Sequence, residues 1–115
     1  MKSLYFQCAA RSALGLVRKG NEDSALISSQ VIAVADGMGG HAGGEVASSV
    51  AINTLSEIAP TFTSENIDLD SASDLYLNSL HTIDAQIRAV ASDEPALAGM
   101  GTTLTSLFIS GTEVS

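Results

Sequence analysis

The sequence predicts an α+β fold, with two helices packed on an antiparallel sheet. Three observations predict it. Two short β-type apolar runs, Ala25–Ile27 and Val31–Ala35, are separated by Ser and Gln residues; two longer segments carry apolar residues at helical spacing; and Thr102–Ile109 alternates and is rich in β-branched residues. At 115 residues and 45% hydrophobic content, the chain is the size of one small domain and too apolar for disorder.

Taken in order, Leu4-Tyr5-Phe6 and Leu14–Val17 read as a strand broken near its middle. The runs at 25–27 and 31–35 read as a hairpin turning at Ser29-Gln30. A first helix is predicted over 43–59, with apolar residues at 46, 47, 50, 51, 55 and 58, Glu45 at the positive end of its dipole and Pro60 as its stop. A second is predicted over 72–92. Tyr76, Leu80, Ile83, Ile87 and Val90 make its stripe, Ser71 and Asp74 a start resembling a capping box, and Pro95 its end. The strand at 102–109 follows a Gly99-Met100-Gly101 turn, and Ser110-Gly111-Thr112 turns it back into a returning strand. The expected unpaired edge there points to an incomplete domain.

Composition excludes several functions. Thirteen acids against five cations give a net charge of −8, and four of the cations (Lys2, Arg11, Arg18, Lys19) fall in the first nineteen residues. Nucleic-acid binding, which needs clustered Lys and Arg, is not expected. No apolar run is long enough for a transmembrane helix, the N-terminus lacks a secretory pattern, and a cytoplasmic location is expected. The single cysteine, Cys8, reads as a small buried apolar residue.

The hairpin register brings acids together. A turn at Ser29-Gln30 pairs residues whose numbers sum to 59, so Asp23 faces Asp36 and Glu22 faces Gly37. Ala25, Ile27, Ile32 and Val34 then share an apolar face with Asp23 and Asp36 at its open end. Cross-strand carboxylates repel unless one is protonated or a cation lies between them, and a divalent metal is the economical resolution. Immediately after comes Asp36-Gly37-Met38-Gly39-Gly40-His41-Ala42-Gly43-Gly44, with five glycines in eight positions from 37 to 44. Such a loop needs positive φ, close approach to a ligand, or both. It satisfies the dinucleotide pattern G-x-G-x-x-A, which leaves a nucleotide-binding module as one alternative, although Asp36 would press a negative charge toward a pyrophosphate. A P-loop is excluded because no Lys follows the glycines. A metal loop using the Asp36 carboxylate and a backbone carbonyl is the other reading, with the hard oxygen ligands that Mg²⁺ and Mn²⁺ prefer.

The run from Gly15 to Ser24, which includes Arg18 and Asn21-Glu22-Asp23, then Val34-Ala35-Asp36-Gly37-Met38-Gly39-Gly40-His41, Gly44-Glu45 and Gly99-Met100-Gly101-Thr102-Thr103-Leu104-Thr105 resemble, in order, the metal-dependent PPM family. These are the type 2C serine/threonine protein phosphatases, here in their bacterial form. The resemblance implies a two-sheet β-sandwich flanked by helices (α-β-β-α), of which residues 1–115 would be the N-terminal half of one domain. It implies hydrolysis of phosphoserine and phosphothreonine in proteins by a water activated between two Mn²⁺ or Mg²⁺ ions. Asp36 would bridge the ions and the Gly37 carbonyl would bind one of them. Glu22 and Asp23 would act on the metals directly or through water, and Arg18 would hold the substrate phosphate. Partners would be phosphoproteins, and the enzyme would oppose a serine/threonine kinase.

Two departures bear on activity. Where many eukaryotic members carry a histidine directly after the Asp-Gly pair, this chain has Met38. His41, three residues on, is either a substitute acid for the leaving group or a loop histidine without a catalytic task. The family's further metal aspartates, in a Gly-Asp-Ser-Arg segment and near the domain's end, lie beyond residue 115, so the chain alone is expected to hold metal weakly and turn over little. A non-catalytic relative that binds phosphoproteins is the other alternative.

Overall fold

The computed structural model describes residues 23–39, 43–63, 67–110 and 113–114. The strand expected over 4–17 lies outside the described residues. Strands β1 (Asp23–Ile27) and β2 (Val31–Met38) form the expected hairpin, and helices α1 (Gly43–Ile58) and α2 (Leu69–Asp93) follow. The chain returns to the sheet as β3 (Gly101–Thr102), β4 (Thr105–Ser110) and β5 (Glu113–Val114). The sheet order is β1-β2-β4-β5, with β3 beside the end of β2, and every pairing is antiparallel. The described residues thus make one sheet of the expected sandwich, with the two helices on one of its faces.

The hairpin has the register expected from a turn at Ser29-Gln30: Ile27 opposite Ile32, Ala25 opposite Val34 and Asp23 opposite Asp36. Ser29-Gln30 is a poor two-residue turn by composition. Ser28 supplies what it lacks, because its hydroxyl donates to the Val31 carbonyl at 3.0 Å and accepts from the Val31 N–H at 2.9 Å. A serine hydroxyl bonding its own neighbourhood in this way substitutes for turn residues with positive φ.

The two faces of the sheet differ from the apolar face drawn from the sequence. The helices cover the face bearing Val31, Ala33 and Ala35, all buried, together with Leu26 and Phe108. The face with Ala25, Ile27, Ile32 and Val34 points the other way and is left largely open: Ile27 is 44%, Val34 56%, Met38 58% and Leu107 46% exposed. β2 is apolar on both sides, so alternation alone cannot say which side the helices take. α1 decides it with Ala47 and Ala51, fully buried and small enough for close approach, and with Ile52 and Leu55. Ser48 joins this face, its hydroxyl 3.0 Å from that of Ser24 on β1, which satisfies a buried polar group.

α2 begins one turn earlier than expected. Asp68, not Ser71, is its N-cap: in extended conformation, it accepts from the Ser71 N–H at 2.7 Å. That bond holds the Asp68 carboxyl below its ordinary pKa. The stripe packs largely as predicted, with Ile83 buried and Tyr76, Leu80 and Ile87 against the core. Beneath it lies an aromatic cluster in which Phe62 meets Phe108 edge-on at 5.0 Å and Tyr76 at 5.7 Å. Tyr76 extends its hydroxyl to Ser106 on β4, tying α2 to the sheet. Arg88, the one Lys or Arg within 23–110, is engaged by Asp84 at 2.9 Å on the solvent side of α2.

Candidate metal centre

The open face of the sheet carries the candidate site at the end of β2. Asp36 and Asp23 are direct cross-strand partners, exposed on the same side, at the edge of the apolar patch formed by Val34, Ile27 and Ile32. Opposed carboxylates at cross-strand spacing, Cβ atoms ~5 Å apart, disfavour the pairing unless a cation screens them. Gly37 follows on the buried side, opposite Thr102. The backbone of Asp36 is held from the segment between β3 and β4: the Thr103 N–H donates to the Asp36 carbonyl at 2.9 Å, and the Asp36 N–H donates to the Thr103 hydroxyl at 3.2 Å.

Beyond β2 the chain must turn sharply into α1, and Gly39 makes this possible with φ of +143°. A β-carbon there would lie 3.1 Å from the Met100 Cα and 3.4 Å from the Gly44 nitrogen. Gly43 is equally close, since a β-carbon would lie 3.1 Å from the Met100 Cβ. The glycines therefore serve close approach of backbone to the Gly99–Gly101 turn, with Met100 buried between them. Nothing in the sequence singles out Met100 for this contact except its place between two glycines.

The dinucleotide reading fails on topology. It requires a parallel strand–helix–strand unit, whereas β2 is antiparallel to both of its neighbours. The donor set suits a hard divalent cation in kind: two carboxylates, with a backbone carbonyl next in sequence. Mg²⁺ is commonly held by only one or two carboxylates, with waters and substrate phosphate completing the shell. Among the described residues no cluster of three or more His, Cys, Asp or Glu side chains forms a fuller cage. Arg18, Glu22 and His41, the other residues expected at the site, lie outside the described residues. Thr103 was not assigned a role from the sequence; its signal is its place opposite Asp36 once the β2–β4 register is known.

A family model for protein phosphatase 2C matches residues 20–115, and the chain belongs to that family. It is 42% identical over 116 residues to the serine/threonine protein phosphatase PstP of Mycobacterium tuberculosis, covering 95% of this chain and 20% of that protein. It is 33% identical over 113 residues to the serine/threonine phosphatase stp of Listeria welshimeri, covering 90% of this chain and 43% of that protein. The chain thus spans less than half the length of these relatives. Its structure superimposes on the crystal structure of M. tuberculosis PstP/Ppp with a TM-score of 0.77, covering 92% of this chain and 43% of that one. It superimposes with a TM-score of 0.75 on the PstP catalytic domain in complex with two manganese ions, at 43% identity over 90% of this chain and 43% of that one. Among the described residues no helix is long and apolar enough to cross a membrane.

Proposed function

We propose that residues 1–115 are the N-terminal portion of a metal-dependent protein serine/threonine phosphatase domain, acting on phosphoproteins and opposing a kinase. The observation that carries the reading is the pairing of Asp23 with Asp36 at the mouth of a glycine loop, in a chain of the protein phosphatase 2C family. Asp36, the Gly37 carbonyl, Glu22 and Asp23 would hold Mn²⁺ or Mg²⁺. When bound, two such ions supply an acidified water and neutralise charge on the phosphoryl oxygens. The chain's own residues set the rest. The antiparallel register presents Asp23 and Asp36 to one space on the open face, and Arg18 is assigned to the phosphate oxygens, where a guanidinium fork bonds two at once. His41 is the candidate to protonate the departing serine or threonine oxygen, with a loop role as its alternative. The exposed row of Ile27, Val34, Met38 and Leu107 supports the half-domain reading, since an apolar face of this kind is suited to burial under the second sheet of the sandwich.

The test is hydrolysis of a phosphothreonine peptide and of p-nitrophenyl phosphate with Mn²⁺. The 115-residue chain should turn over little, and what turnover there is should vanish with EDTA and in Asp36→Asn. Hydrolysis that survives either treatment contradicts the reading. Phosphopeptide binding that depends on Arg18, with no hydrolysis at any metal concentration, would favour the non-catalytic alternative.

A further inference from the structure

Three segments lie side by side at the level of the candidate site. Asp36 is in the middle, with Asp23 facing it from β1. On the other side the β2–β4 register runs from Val31 opposite Phe108 to Val34 opposite Thr105, and resumes unchanged at Gly37 opposite Thr102 and Met38 opposite Gly101. Continuing that register puts Thr103 directly opposite Asp36. No residue is inserted, yet regular strand structure lapses at Thr103 and Leu104. What changes at this level is the atom that does the bonding. The Asp36 N–H donates to the Thr103 hydroxyl at 3.2 Å, while the Thr103 carbonyl accepts from the Thr102 hydroxyl at 2.8 Å. The Thr103 N–H donates to the Asp36 carbonyl at 2.9 Å, and the Thr103 hydroxyl lies 3.4 Å from that same carbonyl.

We propose that Thr103 is a positioning residue for the metal centre, its hydroxyl and N–H clamping both backbone polar groups of Asp36 so that the Asp36 carboxylate and the Gly37 carbonyl are presented from a fixed peptide. This rests on the metal reading of Asp36 given above. The same segment follows the Gly99–Gly101 turn, where Met100 lies close against Gly39 and Gly43, so Asp36 is anchored beside a closely packed part of the chain. Both residues are exposed, so water can satisfy the Asp36 N–H if the hydroxyl is removed. The loss therefore falls on orientation more than on stability, and groups that orient metal ligands typically govern affinity by 10–100-fold when removed.

The test compares Thr103→Val, which keeps the branched shape and loses the hydroxyl, with Thr103→Ser, which keeps the hydroxyl. Mn²⁺ binding to the 115-residue chain is followed by loss of the free-ion EPR signal, with Asp36→Asn as the reference for site loss. The Asp36 amide is followed by NMR without metal. Thr103→Val should weaken Mn²⁺ binding about tenfold, shift the Asp36 amide resonance and speed its exchange, with a melting temperature close to that of the parent chain. Thr103→Ser should restore both readouts. Parent-like Mn²⁺ affinity in Thr103→Val, with binding lost in Asp36→Asn, would overturn the positioning role and leave the metal reading standing. An unmoved Asp36 amide in Thr103→Val would overturn it as well. Absence of any Asp36-dependent Mn²⁺ binding in the parent chain would overturn the metal reading and the role of Thr103 with it.

Discussion

Replacing Gly39 by alanine tests how the glycine loop is packed, and the structure sets the size of the effect. Two costs combine. The φ of +143° is a backbone conformation that residues with a β-carbon rarely adopt, and holding one there costs roughly 1–3 kcal/mol. The new β-carbon would also lie 3.1 Å from the Met100 Cα and 3.3 Å from its Cβ. These are a backbone atom and the first side-chain atom, neither of which can swing aside, so the Gly99–Gly101 turn must retreat by a few tenths of an ångström. Together the effects should destabilise the chain by roughly 2–4 kcal/mol, a fall in melting temperature of roughly 10–20 °C for a domain of this size. Gly99→Ala is the control. Its φ of +80° imposes conformational cost, but nothing lies within 4 Å of the added carbon, so about 1–2 kcal/mol is expected. Gly43→Ala adds a sign test: helix propensity alone favours alanine by up to about 1 kcal/mol, whereas the 3.1 Å approach to the Met100 Cβ should reverse that. The assay is urea denaturation followed by circular dichroism. Gly39→Ala within about 0.5 kcal/mol of the parent, the range of ordinary surface changes, or no more costly than Gly99→Ala, would refute the close-packing argument.

Other expectations concern the scaffold. Phe62 is fully buried and touches both Tyr76 and Phe108, so Phe62→Ala should cost roughly 3–5 kcal/mol, enough to leave much of the chain unfolded by near-UV circular dichroism. The Asp68 carboxyl is held below its ordinary pKa first by the Ser71 N–H. Its folded-state value is therefore lower than its unfolded one, so the cap is fully effective above the ordinary carboxylate range and is lost as pH falls through the lowered value. Protection of the Ser71 amide, its NMR exchange rate compared with that of the unstructured chain at the same pH, should fall on acidification, and Asp68→Ala should abolish that pH dependence.

Much of this was legible in the sequence, and the limits have physical causes. The hairpin register followed from a turn placed at Ser29-Gln30, which pairs residues whose numbers sum to 59, and it delivered the Asp23–Asp36 pairing. Which face the helices would take did not follow, because Val31, Ala33 and Ala35 on one side are matched by Ile32 and Val34 on the other; only the small-residue face of α1 breaks the tie. The start of α2 was placed at Ser71 because the apolar stripe begins late, whereas a cap depends on one extended residue, Asp68, ahead of any periodicity. Phe62 stands alone beside a Ser/Asp-rich stretch, so no pattern announces that it anchors the aromatic cluster. Thr103 was invisible for a different reason: its role exists only across the sheet, 67 positions from Asp36.

The central claim is that Asp23 and Asp36 share one divalent cation on the open face of the sheet. Paramagnetic broadening by Mn²⁺ in NMR spectra of the ¹⁵N-labelled 115-residue chain tests it most directly. At low Mn²⁺, amide signals should disappear first around Asp23 and Asp36-Gly37, and Asp36→Asn should erase that pattern. Broadening centred on other acids, such as Asp70 or Asp93, or a pattern unchanged by Asp36→Asn, would contradict the account.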